Sequence, residues 1–239
     1  MSSPADRLVP NIEFVDATTW LSIHTGTSIQ ATPSGIMNDW IVGLLKFALA
    51  VLAADFLVGF VHWIEDAYVR EDWPVLGPLV GRPNILHHHL PRHFVRKSWF
   101  QSCWDQLLLA AGIAGIAFWM EALTWPVMVF VVLVGNANQI HKWAHRSRRE
   151  NGPIISLLQD LHLIQGVRHH AIHHTDPKSM HYCVITEWLN PVLEYLRFWT
   201  RLECLLWRWA HLRRRVDTSN RRHGAAPEWI RLQARGAIS

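Results

Sequence analysis

The chain has 239 residues, which suits one domain with a buried core, and half of its residues are hydrophobic, including 14 tryptophans. Its three cysteines, Cys103, Cys183 and Cys204, are scattered and form no C-x-x-C pair, which argues against a thiolate zinc site and a disulfide framework. The net charge of +4 suits nucleic acid or an anionic lipid surface as partner. Because tryptophan is enriched at membrane interfaces, the composition favours a membrane protein over an aromatic-rich soluble core.

The apolar runs predict membrane spans. Residues 1–36 are polar or mixed and lack the pattern of a secretory signal, so we expect a leader at the surface. The run at 41–64 is long enough to cross a hydrocarbon core about 30 Å thick. Further apolar runs follow at 107–119 and 126–140. We therefore expect about three spanning helices, although the second and third runs also suit a half-membrane hairpin.

Basic residues predict the orientation of these spans by the positive-inside rule. Arg7 is the only lysine or arginine before the first span, and the turn around Glu121 contains none. The other connections are basic, with Arg70, Arg82, Arg92, Arg96 and Lys97 after the first span, and Lys142, Arg146, Arg148 and Arg149 after the third. The C-terminal side is therefore expected in the cytoplasm, in a bacterial inner membrane or an ER-like membrane.

Helical periodicity continues at 155–165 and again at 186–215. The second segment mixes Trp, Leu and Arg, which suits a helix in the membrane interface or an amphipathic core helix. From Arg213 the chain is polar, and we expect a solvated tail. The predicted fold is all-α: an integral membrane helical protein with a cytoplasm-facing, histidine-rich helical cap. Its predicted parts are a polar leader (1–36), a membrane domain (37–212) and a basic polar tail (213–239).

All histidines except His24, His211 and His223 fall in four clusters on the predicted cytoplasmic side. In chain order the clusters are His62; His87, His88, His89 and His93; His141 and His145; and His162, His169, His170, His173, His174 and His181. Clusters that are distant in the chain but lie on one side of a membrane indicate one site.

In two of the clusters, helical spacing places histidines of the same segment on one helix face. His141 and His145 are four residues apart, so their imidazoles share one helix face, and Asn138 lies on the same face. His170 and His174 in HHAIHH have the same spacing. Each segment can therefore present several side chains to one metal site.

The histidines outnumber the four ligands of a structural zinc site, so two metal ions are the natural count. Neutral imidazole binds iron, copper, nickel and zinc, which leaves the metal open. A pair of irons would suit O2 activation at a lipid-facing site, whereas a zinc pair would suit hydrolysis.

Acidic side chains in or beside a span are costly and are therefore functional candidates. Asp66 could serve as a metal ligand, as a hydrogen-bond partner of a ligand, or simply as a residue at the end of a helix. Asp160 lies two residues before His162 and can orient an imidazole through its second N–H. His181 is close to the expected site but has no helical partner that defines a role.

With these segments in place, the chain resembles the Kua/CarF-type family of lipid desaturases, which includes plasmanylethanolamine desaturases. The likeness covers about residues 50–199. It rests on long motifs in family order: ADFLVGFVHWIED, HHHLP, NQIHKWAH, LQDLHLIQ, HHAIHH and YCVITEWLNPVLEYLRFW. Several ordered motifs of this length make the resemblance specific.

The resemblance implies a set of metal ligands where the motifs match. These are His62, His87, His88, His141, His145, His162, His169, His170, His173 and His174, with His89 as a filler position. It also implies two iron ions, O2 as co-substrate and an electron donor of the cytochrome b5 or ferredoxin type. The implied activity is that of an oxidoreductase that forms the vinyl ether of plasmalogens from plasmanyl ether phospholipids in the membrane.

Other functions stay open at this point. Arg96-Lys97 stands where plasmalogen-forming members usually carry Arg-His, and it resembles plant plastid relatives that desaturate the acyl chain of phosphatidylglycerol. A hydroxylase, or a non-catalytic membrane protein that binds metal or signals, is a further alternative. Nucleic acid is not an expected partner, because the basic residues flank the spans.

Overall fold

The computed structural model describes residues 33–219 and 226–234, and within these ranges its regular secondary structure is entirely helical. This confirms the predicted all-α class. The chain forms two compact units, residues 1–44 and residues 45–239. The described part of the first unit is the start of one long helix, and the side chains of the candidate site described below belong to the second unit. The predicted leader lies almost wholly outside the described residues.

Ten α-helices follow one another through the described ranges, with a short π-helical turn at Gly77–Gly81 before the second. They are α1 (Pro33–Ala67), α2 (Arg82–His89), α3 (Pro91–Val95), α4 (Trp99–Trp119), α5 (Trp125–Ala144), α6 (Arg148–Asp160), α7 (Val167–His173), α8 (Leu189–Tyr195), α9 (Phe198–Ala210) and α10 (Glu228–Ala234).

Two helices are long and apolar enough to cross a membrane, namely Met37–Ala67 within α1 and Trp99–Trp119, which is α4. In α4, Leu108 is 66% exposed and Phe118 is 73% exposed, as expected of side chains that face lipid. The predicted count of three spans is not confirmed. The third run lies in α5, whose last part, from Asn136 to Lys142, is too polar for a span.

Helices α4 and α5 form a hairpin closed by the turn at 120–124. Helix α4 begins with a capping box, in which Ser98 Oγ accepts a hydrogen bond from the Gln101 N–H and Gln101 Oε1 accepts one from the Ser98 N–H. At the same end, Asn138 of α5 donates a hydrogen bond to the Ser102 carbonyl of α4. The hairpin therefore brings the predicted ligands of α5 to the start of α4.

One face of α1 positions the site. It carries Asp55, Gly59, His62 and Asp66, at spacings of four, three and four residues. The segment 182–186 packs directly on this face, and a Cβ added at Gly59 would lie 2.7 Å from Cys183 Sγ. Only glycine allows that approach.

Asp55 anchors the same segment through its buried carboxylate. One carboxylate oxygen accepts a hydrogen bond from the Ile185 N–H at 2.8 Å, and the other accepts bonds from the Thr186 N–H, at 3.0 Å, and the Thr186 hydroxyl. Asp55 is fully buried. This explains an acidic side chain within the first apolar run.

We expect Asp55→Ala to destabilise the protein by about 3 kcal/mol, because it leaves two buried N–H groups and a hydroxyl without an acceptor. The midpoint of thermal unfolding should fall by roughly 10 °C. Asp55→Asn keeps one acceptor oxygen and should cause a smaller loss. Thermal unfolding of the detergent-solubilised variants measures both, and an unchanged midpoint for Asp55→Ala would contradict this role.

The segment predicted as an interfacial helix forms two helices, α8 and α9, because Arg197 between them adopts a left-handed φ of 48°. Phe198 and Leu202 of α9 pack towards the core. Tyr195 and Trp209 are 87% and 79% exposed. A packed side and an exposed side with aromatic residues suit the predicted place in a membrane interface.

Two segments differ from the predictions. The helix expected at 155–165 ends at Asp160, because His162 adopts a φ of 55° that an α-helix cannot continue. The tail expected to be solvated returns to the protein in α10, where Ile230 is 2% exposed and packs with Ile85 and Leu86 of α2. One buried apolar residue in a polar stretch was too weak a signal to predict this contact.

Candidate metal centre

Eight of the ten predicted ligand histidines converge in the structure, and together with Asp66 they form two groups of possible metal ligands. The five-histidine group consists of His87, His141, His145, His170 and His174. The carboxylate group consists of His62, Asp66, His88 and His173. Within each group the ligand atoms all lie within 4.8 Å of one another.

Four ring nitrogens of the five-histidine group meet at distances that suit ligands of one ion. His170 Nε2 lies 2.9 Å from His141 Nε2, 2.9 Å from His145 Nε2 and 3.1 Å from His174 Nε2. Neighbouring ligands at right angles around a metal with bonds of about 2.1 Å are about 3 Å apart. A single imidazole nitrogen cannot form hydrogen bonds with three such neighbours at once. A shared cation accounts for the set.

His87 completes this group. Both of its ring nitrogens are buried without a hydrogen-bond partner among the described residues. Its ring centroid lies 4.8 Å from that of His141 and 4.6 Å from that of His145. A buried polar atom without a partner is costly, so a metal ion would give this imidazole the partner that it lacks among the described residues.

The carboxylate group is built around Asp66, which is 2% exposed. His88 Nε2 lies 3.0 Å from Asp66 Oδ1, while His173 Nε2 and His62 Nε2 lie 3.3 and 3.7 Å from Oδ2. Asn84 donates a hydrogen bond of 2.7 Å to Oδ1. Imidazoles combined with one carboxylate form a ligand set that suits non-haem iron.

Backbone carbonyls hold two of these rings in place. His62 Nδ1 donates to the Tyr182 carbonyl at 3.0 Å, and His173 Nδ1 donates to the Met180 carbonyl at 2.8 Å. With the proton on Nδ1, the Nε2 lone pair faces the Asp66 carboxylate. A lone pair and a carboxylate repel each other unless a cation lies between them. The residues present therefore fit a metal ion.

The two groups adjoin because consecutive histidines divide between them. His87 belongs to the five-histidine group and His88 to the carboxylate group; His174 and His173 divide in the same way. The ring centroids of His88 and His174 are 5.2 Å apart. The protein thus offers two adjacent ligand sets, which suit the two ions expected from the number of histidines.

Burial keeps His87, His145 and His170 uncharged and able to bind metal. Burial, with the neighbouring imidazoles, lowers the pKa of His145 to about 3 and holds the pKa of His87 and of His170 well below the usual range. Only the neutral imidazole is a ligand. These three imidazoles therefore need lose no proton from a charged form at neutral pH before a metal binds.

Two of the predicted ligands, His162 and His169, lie outside both groups. His162 is exposed, and its Nδ1 lies 2.6 Å from Glu187 Oε2. His169 Nε2 lies 3.0 Å from Asn190 Nδ2 and 3.2 Å from His181 Nδ1. The geometry thus places the His162 and His169 rings against the 181–190 segment, to which His181 belongs.

Of the other acidic and amide candidates, one belongs to a ligand group and two form other contacts. Asp66 is a member of the carboxylate group. Asn138 donates hydrogen bonds to the Ser102 carbonyl and to Asp105. Asp160 forms an ion pair with Arg148 instead of bonding to an imidazole.

A cavity of about 110 Å³ borders both groups, with His62, His87 and His141 in its wall. The rest of the wall combines apolar residues, such as Val58, Leu79 and Phe94, with the charged residues Glu65, Lys97 and Asp105. Sequence analysis did not single out Glu65, Asp105 or Asn84. The cost of an acidic group near a span is the signal that could have identified Glu65 and Asp105.

Two adjacent histidine-rich ligand sets beside a cavity, in a chain with two candidate membrane spans, are compatible with a metal centre in a membrane protein. Its residues 51–217 match the model of the lipid desaturase domain, and the chain belongs to that family. This confirms the resemblance carried by the motifs. Membership implies an oxidoreductase that acts on a membrane lipid.

Named relatives agree with this membership. Plasmanylethanolamine desaturase of Myxococcus xanthus is 30% identical over 214 residues, which cover 85% of this chain and 73% of that protein. Plasmanylethanolamine desaturase 1 of Mus musculus is 33% identical over 176 residues, 68% of this chain and 64% of the mouse protein. Fatty acid desaturase 4, chloroplastic, of Arabidopsis thaliana is 26% identical over 159 residues, 65% of this chain and 49% of the plant protein. No solved structure matches the chain.

Proposed function

We propose that this protein is an O2-dependent desaturase that converts a 1-alkyl ether phospholipid into its vinyl ether. The observation that supports this most is the pair of adjacent ligand sets open to a cavity with apolar and charged walls. The Myxococcus and mouse relatives are both named for this class of substrate.

The reaction removes one hydrogen from each of two adjacent carbons and reduces O2 to two waters. The substrate supplies two electrons and two protons, so a donor must supply two more electrons and the solvent two more protons. Unactivated C–H groups offer no proton that a protein base can remove. When bound, a pair of iron ions supplies the oxidising power by activating O2.

The protein's contribution is to hold and shield the centre. The five-histidine group would hold one ion and the carboxylate group the other. The hydrogen bonds from His62 and His173 to backbone carbonyls orient their rings. His141, His170 and His173 are at most 5% exposed, so bulk water is kept from the reacting carbons.

The position of the cavity would allow a lipid chain to reach the metal centre. Val58 and Glu65 in its wall belong to α1, and Trp104 and Asp105 belong to α4, so it lies between the two candidate membrane spans. A chain that enters between the spans comes from the bilayer rather than from water. This supports a membrane phospholipid as substrate.

We further propose that electrons come from a donor of the cytochrome b5 or ferredoxin type on the cytoplasmic side. The positive-inside pattern supports this orientation, with the metal centre on the basic side of a bacterial inner membrane or an ER-like membrane. A basic surface also suits association with an acidic donor protein.

Lipid profiles of cells that express the protein test the proposed function. Cells with the wild type should accumulate acid-labile vinyl ethers, and cells with His141→Ala should not, because His141 Nε2 lies among the converging nitrogens. An iron-containing wild type that leaves both ether and acyl lipids unchanged would contradict the proposal.

A second candidate is desaturation of a phospholipid acyl chain. The similarity to the Arabidopsis protein and the presence of Lys97 in the cavity wall favour it. The same lipid profiles separate the two candidates, since an acyl desaturase would add a double bond to ester-linked chains and leave ether lipids unchanged.

A further inference from the structure

The cavity carries three charged side chains that hydrogen removal does not require, namely Glu65, Lys97 and Asp105. Glu65 lies two residues before the end of α1, Lys97 lies two residues before α4, and Asp105 lies in the second turn of α4. All three are therefore at the ends of the candidate spans that meet the ligand groups. This is the level at which a phospholipid carries its polar headgroup.

Neither Glu65 nor Asp105 forms an ion pair within the described residues. Glu65 forms no hydrogen bond or ion pair with any residue in the described ranges, and Asp105 and Asp66 are the charged groups that act on it. Asp105 accepts hydrogen bonds from the Gln106 N–H at 2.8 Å and from Asn138 Nδ2 at 3.2 Å. Two partly buried carboxyl groups near each other repel when both are charged, so the pair is suited to bind a positive group.

Lys97 also lacks an ion-pair partner within the described residues. Its ammonium forms no ion pair with the part of the chain that the structure describes, although Asp105 lies within electrostatic reach. Burial lowers the pKa of Lys97, and the Asp105 carboxylate opposes that effect. The cavity therefore presents one amine beside two carboxyl groups, an arrangement that is complementary to a zwitterion.

The reaction of an alkyl ether lipid requires its zwitterionic headgroup to lie near the metal centre. The reacting carbons are joined to the glycerol through the ether oxygen, so the phosphate and the headgroup amine must stay near the metal centre during the reaction. A lipid that reacts far along an acyl chain has no such need.

We propose that Glu65, Asp105 and Lys97 form a headgroup subsite for phosphoethanolamine, in which the carboxylates accept hydrogen bonds from the primary ammonium and Lys97 binds the phosphate. This inference rests on the proposed function. A choline headgroup has the same charge but no N–H group, so it cannot form these charge-assisted hydrogen bonds.

Steady-state kinetics in nanodiscs test the subsite. The iron-loaded protein is given O2, reduced ferredoxin and either 1-alkyl-2-acyl phosphatidylethanolamine or its choline counterpart. Glu65→Gln and Asp105→Asn should each raise KM for the ethanolamine lipid about tenfold and leave KM for the choline lipid unchanged. Lys97→Met should raise KM for both lipids, since both carry the phosphate. Iron content should stay at the wild-type level in all three variants.

Glu121→Gln is the matched control, because Glu121 is exposed in the turn between α4 and α5, away from the cavity. It should keep both KM values. The inference is wrong if the two carboxylate variants keep the wild-type ratio of KM values, or if they lose iron and activity towards both lipids alike. A wild type that converts neither lipid would instead overturn the proposed function. Two independent carboxylate variants keep the test decisive if one of them fails to fold.

Discussion

His170→Ala is expected to abolish desaturation and to reduce bound iron from two ions per chain to one or none. His170 Nε2 lies within 3.1 Å of three other ring nitrogens, so its loss opens the centre of the five-histidine group. Loss of a supporting contact outside the ligands costs about 10–100-fold, and loss of a ligand should exceed 100-fold. Metal analysis and the rate of vinyl ether formation measure the two effects.

His211→Ala is the matched control for this substitution. His211 lies at the end of α9, is exposed, and belongs to neither ligand group. This variant should keep its iron and its rate. A His170→Ala protein with two ions and wild-type activity would show that the five-histidine group does not hold a catalytic metal.

Asp66→Asn should have an effect of similar size for a different reason. The amide keeps the shape of the carboxylate but not the charge that draws a cation among His62, His88 and His173. We expect the ion of the carboxylate group to be lost and activity to fall more than about 100-fold. The ion of the five-histidine group should remain, so metal analysis should find about one iron per chain.

Asp72→Asn controls for the loss of an acidic group. Asp72 is exposed and pairs with Arg70 outside both ligand groups. It should retain two ions per chain and full activity. If Asp66→Asn also retains both ions and full activity, Asp66 is a structural residue and the carboxylate group is not a metal site.

Regular spacing allowed much of this centre to be predicted from the chain. The four-residue spacing of His141 and His145, and of His170 and His174, makes each pair share a helix face. Those pairs supply four members of the five-histidine group. The charge pattern also predicted that sequence-distant clusters would meet on one side. Local periodicity was sufficient to predict each pair because both members of a pair come from one helical segment.

Other features depend on how separate helices pack, and periodicity does not report that. Asp66 was equally compatible with a helix end, and its place in a ligand group depends on α2 and α7 reaching α1. His162 follows a helical pattern, but its left-handed backbone ends the helix and turns the ring to Glu187. The charges of the cavity meet only when α1 packs near α4. The count of spans was uncertain because α5 combines an apolar half with a polar, site-forming half.

The most direct test of the central claim uses purified wild-type protein in nanodiscs that contain 1-alkyl-2-acyl phosphatidylethanolamine. Metal content, O2 uptake and the lipid product are measured together, with reduced ferredoxin as donor. We predict two iron ions per chain and O2-dependent formation of an acid-labile vinyl ether that has lost two hydrogens. A protein that holds two iron ions, accepts electrons and leaves the ether lipid unchanged would contradict the account.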